Sequence, residues 1–433
     1  MKSWTVMVYM AGDNNLDSAG VADLAEMKKV GSTSDINVVA QFDRRRAGVG
    51  TARYFLRKGG TLNADIIGDS LGETDDGDPK ALESFITWAA KNYPAKRYLT
   101  VLWNHGNGWD DDDVYAGERG GLALTRRGKV MLKPAGNGAA RVPIANANRA
   151  LAHPLRRAFF VTSAHRALVT ASGGGARTRG ILYDDNAKDF LDNVEMKKVF
   201  LSVRKKLRRR IDIVGMDACL MSMAEVTYQI RDGALFMIGS EQTEPGDGWP
   251  YSQVLGALAR KPSMTPAELS RTIVKRYLAS YGPRDGVTQA ACDLSRNATL
   301  LATLKTLAGA LGNELTNDAA LASIMRVRAQ VQSYDTADNV DLPDLCRLLR
   351  DAFGANSAIG RACTKTLAAV NGTRGIVIES GSKGTGVQHS GGLAIYFPTV
   401  SVSTLYATLD FAKTSGWGKF LARYIAATRR RPR

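Results

Sequence analysis

The chain has 433 residues, of which 44% are hydrophobic and 23% charged, with a formal net charge of +16. This is the composition of a globular protein with a sizeable core, long enough for one large α/β unit or two domains. No apolar run reaches the length that spans a bilayer, and four cysteines without a C-x-x-C pair exclude a disulfide framework.

The first segment, "MKSWTVMVYMAGDNN", carries one early Lys and a short apolar run but no small-residue cleavage site. It reads as a first strand rather than a signal peptide, so the chain is expected to be cytoplasmic, or secreted if a leader precedes it. "WTVMVYM" (4–10) and "INVVAQFD" (36–43) flank the helical stretch "LDSAGVADLAEMKKV", a βαβ unit that favours a parallel sheet. "ARYFLRK" (52–58) reads as an added strand. "DPKALESFITWAAKNYP" (78–94) has helical spacing, Pro in its first turn and Pro just beyond its end. "RYLTVLWNHG" (97–106) reads as a buried strand.

Residues 110–181 differ in character. They open with "DDDD" and turn Gly- and Arg-rich. Residues 119–180 hold 12 Lys/Arg and no Asp/Glu, and the tail "TRRRPR" holds four Arg, which together account for the whole excess charge. A basic excess suggests nucleic acid or a membrane surface. Its confinement to one internal segment and a tail argues against a broad binding face. The segment reads as an insertion with exposed pieces.

Beyond it, "NVEMKKVFLSVRKKLRRR" reads as a helix with a basic end suited to the macrodipole. Strands follow at "IDIVGM" (211–216), "ALFMIGS" (234–240), "VTQAACDL" (287–294), "GIVIES" (375–380) and "GLAIYFP" (392–398). Alternating strands and helices predict a three-layer α/β/α sandwich with a mostly parallel central sheet. The expected division is a core of 1–109 and 182–255, the insertion 110–181, and a C-terminal subdomain 256–433 that adds late strands.

Two strands run into reactive residues. "LTVLWN" leads to His105-Gly106, and "IDIVGMDA" leads to Cys219. A cysteine there suits buried packing, a metal ligand or a nucleophile. Zinc is not expected, because the four histidines form no close pairs with cysteines. Ligands of open parallel sheets collect beyond the carboxyl ends of strands. If the two strands are neighbours, a thiol and an imidazole project from one edge, where the imidazole can activate sulfur and pass a proton on. Gly106 leaves its N–H free to approach an oxyanion, with the Cys219 N–H as second donor. Cys292, Cys346 and Cys363 sit in apolar surroundings and read as core. His105 and Cys219 are 114 residues apart, and the acid-free segment supplies 62 of these. Without it the separation is about 50, as in caspases.

"DPKALESFITWAAKNYPAKRYLTVLWNHGNGW" and "IDIVGMDACLMSMAEV" resemble the clostripain family of cysteine peptidases, relatives of caspases, legumains and gingipains. The likeness continues at "VYMAGDNNLD", "RGILYDDNAKDFL", "EPGDGWPYSQVL", "VDLPDLC" and "GGLAIYFP", and leaves out most of 110–179 and the tail. It implies a caspase-like fold, a catalytic dyad of His105 and Cys219, and cleavage after Arg or Lys. A pocket for such a side chain needs carboxylates. Asp217, two residues before the cysteine, is on the same strand-end face and is the first candidate. Asp247, on the glycine-rich "EPGDGW" loop, is the second. The family matures by cleaving itself between the His and Cys segments, where this chain has its Arg-rich insertion, so that insertion is expected to be a covering or processed segment. Calcium dependence also occurs in the family, and Asp110, Asp111, Asp112 and Asp113 are the oxygen-rich candidates.

The chemistry needs no redox or organic cofactor. The expected partners are proteins or peptides with basic residues, the expected state is a monomer, and no membrane partner is expected. The competing reading is a non-catalytic scaffold that binds nucleic acid through the basic segment. Few aromatics are there to stack on bases, only Phe159 and Phe160, so nucleic acid is the weaker expectation.

Overall fold

The computed structural model describes residues 1–45, 49–109, 181–187 and 189–430. The Asp110–Asp113 run, the basic segment and the last three residues lie outside them.

Residues Lys2–Gly12 form β1, and helix α1 (Asp17–Met27) returns the chain to β2 (Ile36–Arg44). A short β3 (Ala52–Phe55) follows. Helix α2 (Pro79–Asn92) starts where the Asp78 side chain accepts the Lys80 N–H and Pro79 fills the first helical position. It leads into β4 (Ala95–Trp103). Past the insertion come a hairpin, β5 (Ile181–Asp184) with β6 (Asp189–Leu191), and a helix over Asn193–Leu207. That helix opens with a capping box of Asp192 and Glu195. Then come β7 (Ile211–Asp217), β8 (Ala234–Gly239), β9 (Val287–Asp293), β10 (Asn339–Asp341), β11 (Val377–Lys383) and β12 (Ala394–Tyr396).

The main sheet has the order β11-β9-β8-β7-β4-β1-β2-β3. Its centre, β2 to β8, is parallel. β3, β9 and β11 join it antiparallel at the two sides. The order reverses between β1 and β4, which opens a crevice at their carboxyl ends.

β1 shows how the sequence builds two cores. Met7, Tyr9 and Ala11 face one cluster, and Trp4, Val6, Val8 and Met10 face the other. From Val6 to Ala11 the strand is apolar at every position because both faces are covered. One cover is α1 with helices Tyr251–Arg260 and Pro266–Ser280, whose Leu24, Val254, Leu258 and Ile273 are buried there. The other is α2 with the Asn193–Leu207 and Ala224–Ile230 helices. This is the three-layer α/β sandwich expected from the sequence.

The late strands β9 and β11 join the main sheet, and the helix Pro266–Ser280 packs on it. One detail differs from the sequence reading. The run 392–398 contributes only β12, which pairs with β10 in a separate two-stranded sheet. A short apolar run identifies a strand but not the sheet it joins. Helices 297–314, 342–353, 358–371 and 417–429 pack around this small sheet and share the larger of the two cores.

Candidate active site

β4 and β7 are parallel neighbours, and Trp103 lies opposite Asp217. Two residues beyond each partner come His105 and Cys219. The register therefore brings both reactive side chains out at one edge of the sheet, beside the β1–β4 crevice. Asn104 fixes the turn between strand and histidine. Its N–H donates to the Asp217 carbonyl at 3.3 Å, and its side chain donates to the carbonyls of Ala11 (2.5 Å) and Tyr183 (2.9 Å).

Gly106 packs directly on the chain at Cys219, just beyond the end of β7. A Cβ there would stand 2.5 Å from the Cys219 carbonyl oxygen. Only glycine allows that approach. The His105 imidazole is buried, lies edge-on to Tyr183 with centroids 6.4 Å apart, and bonds through Nε2 to Asn15 Oδ1 at 2.8 Å. An amide oxygen only accepts, so in this contact Nε2 is the donor.

The Cys219 sulfur is 3% exposed as a residue. It accepts the Glu244 N–H at 3.2 Å and lies 3.9 Å from the Glu244 carbonyl. The loop 244–248 thus lies over the thiol. His105, Cys219, Asp217 and Glu244, with Leu16, Trp103 and the glycines of that loop, line a cleft of about 30 Å³. That volume is about one water's share of liquid and too small for an amino-acid side chain.

The cleft floor is acidic. Asp217 Oδ2 accepts the Tyr251 hydroxyl at 2.7 Å and the Trp249 N–H at 3.3 Å. Gly248, at φ +55°, sits so close that a Cβ would lie 3.2 Å from both Asp217 oxygens. Glu244 accepts from Gln289 Nε2 at 3.1 Å, and its carboxyl also pairs with that of Asp217 by a hydrogen bond. Burial pushes the Asp217 carboxyl up to about 6, against the pull of its hydrogen-bond donors. Burial and the charge of Asp217 push Glu244 further up. Deeper still, burial and Asp217 push Asp23 up to about 9, while its bond from the Trp103 indole opposes the shift. Among the described residues, no ion pair involves Asp217, Glu244 or Asp23. Among the described residues, the pocket is a buried cluster of carboxyls that no Lys or Arg pairs with.

Asp247 is exposed at the loop tip, and its neighbours Gly246 and Gly248 line the cleft in its place. The sequence offered two acids in "EPGDGW" and no signal to choose between them; Glu244 is the one turned inward. Asn15 was also missed, because a loop asparagine after a strand reads as a turn residue. Cys292, Cys346 and Cys363 are buried away from the cleft, and burial pushes the Cys292 thiol up to about 12. The calcium candidates Asp110, Asp111, Asp112 and Asp113 lie outside the described residues.

A mostly parallel α/β sandwich with Cys and His at matched strand ends defines the class of caspase-like hydrolase folds. The chain belongs to the clostripain family, whose model matches residues 8–121 and 158–423. It is 24% identical over 277 residues to clostripain of Hathewaya histolytica, a match that covers 58% of this chain and 41% of that protein. The matched part is therefore less than half of the curated relative's length. Two solved structures share the fold. One is a secreted C11 cysteine protease from Bacteroides thetaiotaomicron in complex with an irreversible peptide inhibitor, with 18% identity, TM-score 0.59, and coverage of 96% of this chain and 100% of that one. The other is an inactive zymogen C11 protease from Parabacteroides distasonis, with 18% identity, TM-score 0.62, and coverage of 96% and 98%.

Proposed function

We propose that the chain is a cysteine endopeptidase that cleaves after Arg or Lys, with Cys219 as nucleophile and His105 as its acid–base partner. Family membership supports the peptidase class. The observation that carries the residue roles is the matched register of β4 and β7, which sets the two side chains at one strand end.

His105 Nδ1 takes the thiol proton, and the Cys219 sulfur attacks the carbonyl carbon of the scissile bond. Negative charge moves to the carbonyl oxygen, toward the N–H groups of Gly106 and Cys219. The imidazolium then gives its proton to the leaving amine as the C–N bond breaks. Water, deprotonated by His105, hydrolyses the thioester and restores the thiol. Asn15 keeps the imidazole in the tautomer with hydrogen on Nε2.

The basic preference follows from the cleft's charge. Buried carboxyls without a counter-ion are costly, and a guanidinium or ammonium would supply the missing partner. Asp217 and Glu244 would hold it, and Arg matches the pair bidentately. The closed loop over Cys219 fits a latent form in which 244–248 must move before a side chain can enter. Cleavage within the 110–181 insertion is the step we assign to activation. Of the two compartments expected from the sequence, export is the one shared with the secreted Bacteroides relative. Among the described residues no helix is long and apolar enough to cross a membrane.

Fluorogenic peptides ending in Arg, Lys, Asp or Asn test this reading. Turnover of the Arg and Lys peptides is expected. Turnover confined to Asp or Asn peptides refutes the specificity. No turnover of any, together with salt-sensitive DNA retention, favours the non-catalytic scaffold. Self-processing is tested by expressing wild type beside Cys219→Ala: the wild type is expected to fall into two chains and the variant to stay whole. A wild type that remains one chain while hydrolysing peptides refutes it.

A further inference from the structure

The residues between His105 and the insertion are each held by a different part of the molecule. Gly106 rests on the Cys219 carbonyl and bridges to Ile181 of β5. The Asn107 side-chain oxygen accepts the Thr336 hydroxyl at 3.3 Å, from the loop before β10. The Gly108 carbonyl accepts the Asn193 side-chain N–H at 3.0 Å, at the start of the Asn193–Leu207 helix. Trp109 ends the run and is buried.

Trp109 enters a seat built by the C-terminal part of the chain. Its ring centroid lies 4.3 Å from that of Tyr396 and 4.8 Å from that of Tyr406, and the two tyrosines are 4.9 Å apart. The rings are tilted or edge-on to one another, the arrangement that aromatic quadrupoles favour. The indole N–H is buried without an acceptor, so the ring is held by these contacts and by packing.

The seat is itself fixed. Tyr396 is on β12 and Tyr406 in the short turn Thr404–Thr408. The Tyr396 N–H and the Tyr406 hydroxyl both donate to one oxygen of Glu225, at 3.1 and 2.8 Å. The Tyr396 carbonyl accepts the Trp417 indole at 2.7 Å. Glu225 belongs to the Ala224–Ile230 helix, which follows Cys219 in the chain. The seat is thereby tied both to the C-terminal helices and to the cysteine side of the catalytic edge.

β4 and Asn104 fix the approach to His105. Beyond the histidine the chain leaves the sheet, and its position is set by the four grips above. Four residues span at most about 14 Å, so a shift at Trp109 reaches the imidazole. We infer that Trp109 is a positioning residue for His105: its seat between Tyr396 and Tyr406 holds the histidine turn against Cys219. The inference rests on the Cys219–His105 reading above. It gives the β10–β12 sheet a part in the reaction, although among the described residues those lining the thiol cleft all come from elsewhere. A cut within the insertion leaves Trp109 on the His-bearing chain, so the anchor outlasts the activation step.

The test compares full-length wild type, His105→Ala, Trp109→Ala and Trp109→Phe after the same activating treatment. One readout is the rate of Cys219 alkylation by iodoacetamide between pH 5 and 9, mapped by mass spectrometry. Iodoacetamide has no basic side chain, so substrate specificity does not enter. At pH 6 the wild type is expected to react at least about tenfold faster than His105→Ala, because an adjacent imidazolium keeps sulfur ionised where a free thiol is protonated. Trp109→Ala is expected to fall to the His105→Ala profile. For Arg peptides its kcat is expected to drop at least about tenfold, with KM within about twofold of wild type. Trp109→Phe refills the seat with a ring and is expected to restore both readouts to within about threefold of wild type. Trp109→Leu is the second variant should Trp109→Ala not fold, and is expected to lose rate in the same direction. A role in packing alone would lower the melting temperature and leave the alkylation profile of the folded protein as in wild type. A wild-type profile and kcat in Trp109→Ala, or in Trp109→Leu where that variant replaces it, overturns the inference. So does a Trp109→Phe as impaired as Trp109→Ala. Identical profiles for wild type and His105→Ala would overturn the dyad itself, and with it the role of Trp109.

Discussion

Trp103 on β4 faces Asp217 on β7 across a parallel ladder, and this one register sets the candidate active site. Two residues past each partner stand His105 and Cys219. A slip of one residue would turn one of the two side chains to the opposite face.

Gly106 is the first place to disturb that edge. A methyl group at this position would meet the Cys219 carbonyl at 2.5 Å, and backbone cannot yield cheaply. Gly106→Ala is expected to lower kcat by about 10²-fold while the protein stays folded, since small misplacements of reacting groups cost that much. Steady-state kinetics beside a melting curve check it. Unchanged kcat would mean that the contact relaxes without moving the dyad.

Asn15 orients the imidazole through the 2.8 Å contact at Nε2. Asn15→Ala is expected to reduce kcat about tenfold with little change in KM, because the histidine loses its tautomer lock and not its substrate contacts. A change confined to KM would place Asn15 in binding instead.

The acidic floor predicts a pH dependence. Burial holds the Asp217 carboxyl up at about 6, so its charge is present above that pH and lost as pH falls through it. For Arg peptides kcat/KM is expected to fall about tenfold per pH unit below about 6, mainly through KM. Asp217→Asn is expected to raise KM for Arg peptides at pH 8 and to remove this acid limb. Persistence of the limb in the variant would assign it to another group.

Glu225 gives a stability prediction away from the site. It is fully buried and accepts the Tyr396 N–H (3.1 Å) and the Tyr406 hydroxyl (2.8 Å) on one oxygen, while the other has no partner. Burial pushes its carboxyl up from 4.5 to about 7. The folded state therefore binds this proton more tightly than the unfolded chain. Its contribution is full below about 4.5 and is lost as pH rises to about 7, a change on the order of 3 kcal/mol. Glu225→Gln keeps the accepting oxygen and removes the charge. It is expected to be more stable than wild type at pH 8 in denaturant melts. Equal stability at pH 5 and pH 8 in the Glu225→Gln/wild-type comparison would contradict the assignment.

Much of this architecture is legible in the chain itself. Apolar runs of strand length between helices with clear caps gave the sandwich, and the residues after "LTVLW" and "IDIVGMD" marked the reactive edge. What is not legible depends on contacts far apart in sequence. Glu244 and Asp247 differ in burial because the loop turns one inward over Cys219 and leaves the other at its tip. Trp109, Tyr396 and Tyr406 meet only after the histidine turn, β12 and the turn at 404–408 converge, and no local pattern joins them. β12 is a buried apolar run like the strands of the main sheet, yet it pairs with β10 in a sheet of its own, a choice that no local pattern encodes.

The central claim is that Cys219 is the nucleophile and His105 its base. The most direct measurement is mass-spectrometric mapping of a peptidyl acyloxymethyl ketone ending in Arg, applied to the active full-length protein and to His105→Ala. A single adduct on Cys219 in the wild type, slowed at least about 10²-fold in the variant, is the expected result. An adduct on Cys292, Cys346 or Cys363, or equal labelling of Cys219 without the histidine, would contradict it.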